Sequence, residues 1–353
     1  MTETTGAPVT EAGYERGIFR GNAREYFGIW IVNVLLTIVT VGIYSAWAKV
    51  RRKRYFYGNT ELAGRTFDYH ARGLQIFIGR LIALAFIVVV NMLGYVNPIL
   101  ALAGSLLFIV ILPWLVMRSL RFNARVTSYR NVRFDFVGGV GGAFVAIVLG
   151  SLVALVSLGI LAPFASRWLN RYVFDNLRYG DRAFATDPRI GALYRVWILP
   201  VLLMVLGVVL IALVSIPAFL LASDDDAAMT IWIGLVYASV FGTLIVFAIV
   251  GLLYQIGVRN VVWSATVLDG RHRLGSDMSR FRYLWIMVSN LVVTVLTLGL
   301  MRPWAAVREA RYIVEHSGIR FDGELGEIFS SIERTGGAAS AEYLDMEGFD
   351  FGF

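Results

Sequence analysis

Seven apolar stretches constrain this chain more than any other feature. They lie near residues 28–46, 76–94, 99–117, 143–165, 196–222, 228–254 and 283–301. At about 1.5 Å per residue each can form roughly 30 Å of helix, the thickness of a bilayer's hydrocarbon core. Of the 353 residues, 58% are hydrophobic and only 16% charged, against about 25% charged in an ordinary soluble domain. The chain is therefore expected to be mainly α, a polytopic helical membrane protein. There is no cysteine, which excludes a disulfide scaffold and a thiolate zinc site. The net charge of +7 is nearly all arginine, because Lys49 and Lys53 are the only lysines.

A box recurs downstream of five of the stretches. An aromatic residue is followed seven residues later by arginine, in four copies of the five, and then at once by an apolar or aromatic residue. The copies are Trp47/Arg54/Tyr55, Trp114/Arg121/Phe122, Phe164/Arg171/Tyr172, Tyr254/Val261/Val262 and Trp304/Arg311/Tyr312. Twelve residues after the last position of the first four copies stand Phe67, Phe134, Phe184 and Leu274; the fifth is shortened and ends at Phe321. WAKVRRKRYFY (47–57) and WAAVREARYIV (304–314) combine good helix formers with aromatics and arginines at helical spacing. The segments just after the boxes, such as YFYGNTELAGRTFDY, have the pattern of short strands around turn residues. Each such β-hairpin is marginal alone, and the set can pair into a small sheet at the membrane surface.

Charge placement sets the topology. Arginine-rich segments follow the first, third, fourth and sixth stretches, whereas the connections Asn91–Pro98 and Ser223–Asp226 carry no positive charge. The bias of Lys and Arg toward cytoplasmic loops puts the boxes inside. Seven crossings would place homologous boxes on opposite faces. Stretches one, four and seven, however, share a break: Thr40-Val41-Gly42, Ser157-Leu158-Gly159 and Thr297-Leu298-Gly299. Glycine accommodates a sharp turn there. The expected architecture is four full spans plus three re-entrant or half-spanning helical hairpins, with internal repeats and short cytoplasmic β-hairpins. Seven spans, with the break as an ordinary kink, is the alternative. The units are a polar N-terminal head (1–25), repeat unit 1 (26–137), repeat unit 2 (138–276), a half unit (277–323) and an acidic tail (324–353) expected to be disordered.

Candidate chemistry is sparse. No Asp, Glu or His lies deep in an apolar stretch, and Arg80 can snorkel to the surface. Asn33 and Asn290 each precede a box aromatic by 14 residues, with Gly150 at that place in the fourth stretch. These amides either bond backbone carbonyls or line a path. With Gly42, Gly159 and Gly299 they are the candidate path-lining or break residues. Arg54, Arg121, Arg171 and Arg311 are candidate contacts for headgroups or other anions, and Trp47, Trp114, Phe164 and Trp304 candidate interface anchors. His70, His272 and His316 lack ligand spacing and read as satisfied surface histidines. No catalytic residue, metal or cofactor is predicted. The expected partners are a bilayer with anionic headgroups and an unidentified protein on the cytoplasmic face, and not nucleic acid.

The segment EYFGIWIVNVLLTIVTVGIYSAWAKVRRKRYFYGNTELAGRTFDYH, Glu25 to His70, resembles the signature of the YjgN family, and TLGLMRPWAAVREARYIVEH (Thr297 to His316) supports the likeness. It covers roughly residues 19–323. The resemblance implies a multipass protein of the bacterial inner membrane and supplies no catalytic residues, the family's biochemical role being unassigned. Two functions are carried forward: non-enzymatic transport or lipid handling through a path between repeat units, and a scaffold or regulator that docks a partner through its β-hairpins. A water-lined cavity containing both Asn33 and Asn290 favours the first. A solid membrane core with an apolar patch exposed on the sheet favours the second.

Overall fold

A computed structural model describes residues 14–221 and 226–323, together with 326, 329, 330 and 332. Five helical hairpins alternate with short strands. The first is α1 (Ala23–Val39) and α2 (Ser45–Gly58), and the second α3 (Gly73–Val96) and α4 (Pro98–Arg125). In the third, α5 (Val140–Phe144) runs through a π-helical turn over Val145–Leu149 into α6 (Gly150–Val156), and α7 (Ala162–Asp175) returns. The fourth is α8 (Ile190–Leu221) and α9 (Asp226–Ser264), the fifth α10 (Arg280–Leu296) and α11 (Arg302–Glu315). Among the described residues four helical segments are long and apolar enough to cross a membrane: Gly73–Tyr95, Pro98–Arg125, Ile190–Pro217 and Trp232–Ser264. They coincide with stretches two, three, five and six.

The strands are β1 (Tyr14–Arg16), β2 (Ile18–Phe19), β3 (Thr60–Leu62), β4 (Arg65–Tyr69), β5 (Thr127–Tyr129) and β6 (Val132–Phe136). After them come β7 (Leu177–Tyr179), β8 (Arg182–Thr186), β9 (Thr266–Leu268), β10 (His272–Ser276) and β11 (Ser317–Arg320). They form one eleven-stranded sheet in the order β1-β11-β10-β9-β8-β7-β6-β5-β4-β3-β2. Its two end strands are separated in the chain by Gly17 alone, so the sheet curls until its ends meet. The Gly17 N–H donates to the Ser317 carbonyl at 2.9 Å and holds that junction.

The sequence pattern predicts a small sheet of hairpins, and a nearly closed ring is what forms. The difference has a physical reason. The strands on either side of every helical hairpin also pair with each other: β2 with β3, β4 with β5, β6 with β7, β8 with β9, and β10 with β11. Nine of the eleven strands are thereby paired on both sides, and the end strands β1 and β2 on one. The shortened fifth copy takes its missing strand from the N-terminal head, whose residues 14–19 are β1 and β2. Each helical hairpin, long or short, begins and ends at the ring, so all five boxes lie on one side of the helices.

The inside of the ring is an aromatic core. Side chains two apart on a strand share a face, and the register sets Phe67 opposite Tyr129, Phe134 opposite Tyr179, Phe184 opposite Leu268 and Leu274 opposite Ile319. All eight belong to this core, as does Phe321. The repeat's four phase-locked residues and Phe321 of the shortened fifth copy thus meet in one place. Phe329 and Ile332, which the sequence groups with the acidic tail, are buried there as well. The rest of residues 333–353 and the acidic residues Asp224 and Asp225 lie outside the described residues.

Stretches one, four and seven break where the sequence places the Thr/Ser-x-Gly motif. Val41, Leu158 and Leu298 have φ of 49°, 51° and 49°, and Gly42, Gly159 and Gly299 follow at 90°, 86° and 90°. The hydroxyl one residue earlier caps the returning helix. Thr40 Oγ1 accepts from the Tyr44 N–H at 2.9 Å, Ser157 Oγ from Leu161 at 2.9 Å and Thr297 Oγ1 from Met301 at 3.1 Å. A tyrosine ties the other end. The hydroxyls of Tyr55, Tyr172 and Tyr312 donate to the carbonyls of Asn22, Gly139 and Ser279, at the starts of α1, α5 and α10. In the two long hairpins the same box position is Phe122 or Val262, which cannot make this bond.

Candidate functional site

Packing of the first hairpin beside the last leaves a cavity of about 860 Å³ between them. Asn33 of α1 and Asn290 of α10, 14 residues before their box aromatics, both line it. Both are buried, at 7% and 6% exposure. Their bonding differs. Asn290 Nδ2 donates to the Ala305 carbonyl at 3.1 Å, and its Oδ1 accepts from Arg308 Nη1 at 3.0 Å, so it crosses its own hairpin. Asn33 Oδ1 has no partner among the described residues. A buried oxygen left unbonded costs about 1–3 kcal/mol, which makes it a place for a donor from a ligand. At the equivalent place in the third hairpin Gly150 packs on Ala165, and an added Cβ would stand 3.6 Å from that residue.

The charge in the cavity comes from one face of α2 and its neighbours. Ser45, Lys49 and Lys53 repeat at four-residue spacing and so share a face, and all three line the cavity with Arg52. Arg80 of α3 reaches in and donates through Nη1 to Ser45 Oγ at 2.6 Å. Arg302 lines the other wall. Against these five cations the lining holds a single carboxylate, Glu309, whose Oε1 accepts from the Tyr283 hydroxyl at 2.8 Å. Burial pushes the Lys53 ammonium down to about 8, and Lys49 and Arg52 push it the same way. Lys49 is also lowered, by burial and then by Arg80. Lys53 Nζ donates to Asn123 Oδ1 at 2.7 Å and lies 4.9 Å from the centre of the Tyr69 ring. Trp30, Ile38 and Leu291 supply apolar walls. An anionic group with an attached hydrocarbon fits such a site.

The other sequence-predicted residues lie elsewhere. Gly42, Gly159 and Gly299 stand at the hairpin tips with open space around them. The box arginines grip backbone. Arg54 donates from Nε to the Tyr69 carbonyl and from Nη2 to that of Ala71, both at 3.2 Å. Arg121 does the same to Phe136 at 3.0 Å and Gly138 at 3.1 Å. Arg311 Nη2 donates to Gly21 at 3.1 Å. Ala71, Gly138 and Gly21 each stand two residues before the next helix, so the N-terminal strand completes the fifth copy in bonding as well as in pairing. Arg171 instead meets Asp175 at 3.3 Å and Asp187 at 3.8 Å. Trp114 and Trp304 are 39% and 38% exposed. Trp47 packs on Phe77 and Phe164 on Tyr194. His272 is buried, not on the surface as expected, because it shares the inward face of β10 with Leu274; its Nδ1 accepts from the Asp322 N–H at 3.1 Å.

A family model described as "Bacterial protein of unknown function (DUF898)" matches residues 15–346. The chain belongs to this family. Among its relatives, "Inner membrane protein YjgN" of Salmonella typhimurium is 25% identical over 356 residues, covering 88% of this chain and 90% of the relative. The protein of the same name from Escherichia coli O157:H7 is 26% identical over 332 residues, covering 81% and 83%. No solved structure matches. The family and the inner-membrane localisation expected from the sequence agree with these findings: this is a bacterial inner-membrane protein of the YjgN family.

The cationic wall of this DUF898 protein corresponds to no motif in its sequence. A signal was present in the two lone lysines, four residues apart on a helix that otherwise uses arginine. The tyrosine tie was legible too. Copies one, three and five carry Tyr55, Tyr172 and Tyr312, and copies two and four do not, an alternation that marks short hairpins against long ones.

Proposed function

We propose that this protein handles anionic lipid without chemistry, holding a phosphate-bearing headgroup in the cleft between its first and last hairpins. The observation that carries this reading is the convergence of Lys49, Arg52, Lys53, Arg80 and Arg302 with the unpaired oxygen of Asn33 above an apolar wall. Each Lys or Arg near an anionic surface contributes on the order of 1 kcal/mol, and an amide can orient a hydroxyl or amine on the headgroup.

The topology that goes with it is four spans and three re-entrant hairpins, with the ring of strands in the cytoplasm. Support comes from the hairpins' return to the ring and from their apolar tips, where Val41, Leu158 and Leu298 are 92%, 86% and 95% exposed. Arms of 17 residues, as in α1 and α10, reach about 25 Å, short of a full crossing. A bent backbone at that depth suits a cavity wall. The scaffold reading draws less support, since all strands but β1 and β2 pair on both sides and the repeat's aromatic residues turn inward.

The test is lipid selectivity. Protein reconstituted in nanodiscs of mixed phosphatidylglycerol and phosphatidylethanolamine is expected to retain phosphatidylglycerol preferentially on detergent extraction, read by mass spectrometry. Lys49→Gln with Arg52→Gln should remove that preference. Equal retention in both proteins would sink the proposal. Displacement of the lipid by millimolar inorganic phosphate would reassign the site to a free anion.

A further inference from the structure

The ring of strands encloses a second cavity, of about 390 Å³, within the roughly 300–1,000 Å³ of small-ligand sites. Its walls are the repeat's aromatic positions, among them Phe67, Phe134 and Phe184. The tyrosines there offer rings and not hydroxyls. Tyr129 OH donates to the Leu62 carbonyl at 2.5 Å and Tyr179 OH to the Tyr129 carbonyl at 2.9 Å. The lining carboxylate, Glu61, is paired with Arg20. One cation in the lining is differently placed. Among the described residues Arg259 bonds only to neutral groups: Nη1 to Ser276 Oγ at 2.5 Å and Met278 Sδ at 3.1 Å, and Nη2 to Ser317 Oγ at 2.8 Å. Its guanidinium lies 4.3 Å from the centre of the Trp263 ring.

Two side chains already show what the cavity accepts. Phe329 and Ile332 line it, each 3% exposed. Phe329 packs edge-on against Tyr129 and Phe321, with the Arg130 guanidinium 3.8 Å over its ring. These residues come from beyond the last strand and not from the ring itself, so none of the ring's strand pairings depends on them. An apolar chamber of this size favours a dry hydrocarbon occupant over water. A guanidinium bonded only to neutral groups favours one anionic head.

We propose that the ring interior is a binding site for a long-chain fatty acid, with the hydrocarbon among the ring aromatics, the carboxylate at Arg259, and Phe329 and Ile332 as resident competitors. This site is separate from the cleft and does not rest on the lipid reading given for it.

The absence of native cysteine makes a clean test. Leu274→Cys places a thiol on the chamber wall, and its labelling by N-ethylmaleimide is followed in nanodiscs. Phe329→Ala with Ile332→Ala should speed labelling at least tenfold, and palmitate should slow it again. Arg259→Gln should raise the palmitate concentration needed about tenfold, and hexadecanol should protect poorly. No protection by palmitate, or equal protection by hexadecanol, overturns the proposal. Should the double variant fail to fold, a diazirine-bearing palmitate on the unaltered chain decides: label on Phe134 or Phe184 supports the site, and label confined to the spanning helices refutes it. Lys49→Gln with Arg52→Gln should leave all of these readouts unchanged.

Discussion

The two cavities are built from opposite kinds of sequence position. The ring interior uses positions that agree between copies: Phe67, Phe134, Phe184 and Leu274, each twelve residues after its box. The cleft uses positions where the copies disagree. Five residues after the box aromatic stand Arg52, Ser119, Leu169, Arg259 and Glu309, and six after it Lys53, Leu120, Asn170, Asn260 and Ala310. Arg52, Lys53 and Glu309 from these sets face the cleft, and Arg259 faces the ring cavity. Agreement between copies marks what closes the ring, and disagreement marks where charge meets a cavity.

The largest expected effect comes from breaking the closure. A Cβ on Gly318 would stand 2.4 Å from the Glu15 carbonyl oxygen, a backbone atom that cannot step aside. Gly318→Val should cost about 3 kcal/mol, the upper end of ordinary overpacking, read as a lowered unfolding midpoint in detergent. If the variant unfolds like the parent, the junction of β1 with β11 is not structural and the contrast loses one side. The amide pair sharpens the other side. Asn290→Ala removes two hydrogen bonds inside one hairpin and leaves Arg308 short of a partner, for about 1–3 kcal/mol. Asn33→Ala removes an unpaired oxygen together with its burial penalty, so it should not destabilise the chain as Asn290→Ala does, changing lipid preference instead. Equal destabilisation by the two would mean that Asn33 is structural.

Much of the membrane architecture was legible because it is local. Apolar length marks the stretches, four of which form helices long enough to cross a membrane, and the Thr/Ser-x-Gly break is explained by one hydroxyl cap and two left-handed residues. The ring was not legible as a ring. Its closure depends on Tyr14–Arg16 meeting Ser317–Arg320, a pairing of residues some 300 apart that no short window contains. The phase of Phe67, Phe134, Phe184 and Leu274 was visible, but a shared phase says only that these residues do the same thing, not that they meet. Among the candidate site residues Asn33 and Asn290 reach one cavity. Arg54 and Arg121 look from sequence like lipid contacts, and their donors go to carbonyls at the ends of β4 and β6 and two residues beyond. A long flexible cation does not announce which acceptor it will find.

Smaller effects test the ties between short and long hairpins. Tyr312→Phe removes the hydroxyl that accepts from the Ser279 N–H at 2.9 Å and donates to its carbonyl. It should cost about 1 kcal/mol in thermal unfolding, whereas the matching residue of the fourth hairpin, Val262, has no such bond to lose. A loss below the error of measurement would make the alternation of tyrosine incidental.

The smallest expected effect is a pH dependence in the cleft. Lys53 titrates near 8, so its protonated fraction falls from ~0.9 at pH 7 to ~0.1 at pH 9. The groups around it are Lys49 and Arg52 on α2, Arg80 on α3, Tyr69 on β4 and Asn123 on α4. Burial pushes the Tyr69 hydroxyl up to about 12, above this range. Phosphatidylglycerol retention should therefore weaken between pH 7 and 9 by roughly two- to fivefold, the ~0.5–1 kcal/mol of one partly exposed ion pair. Stability moves in the opposite direction. The folded-state pKa lies below the unfolded one, so the penalty for burying the charged amine is full below pH 8 and is relieved as pH rises toward the unfolded value. Lys53→Arg stays charged throughout and should flatten both trends. A binding profile that is already flat in the parent chain would remove Lys53 from the cleft's anion contacts and leave the selectivity to Lys49 and the arginines.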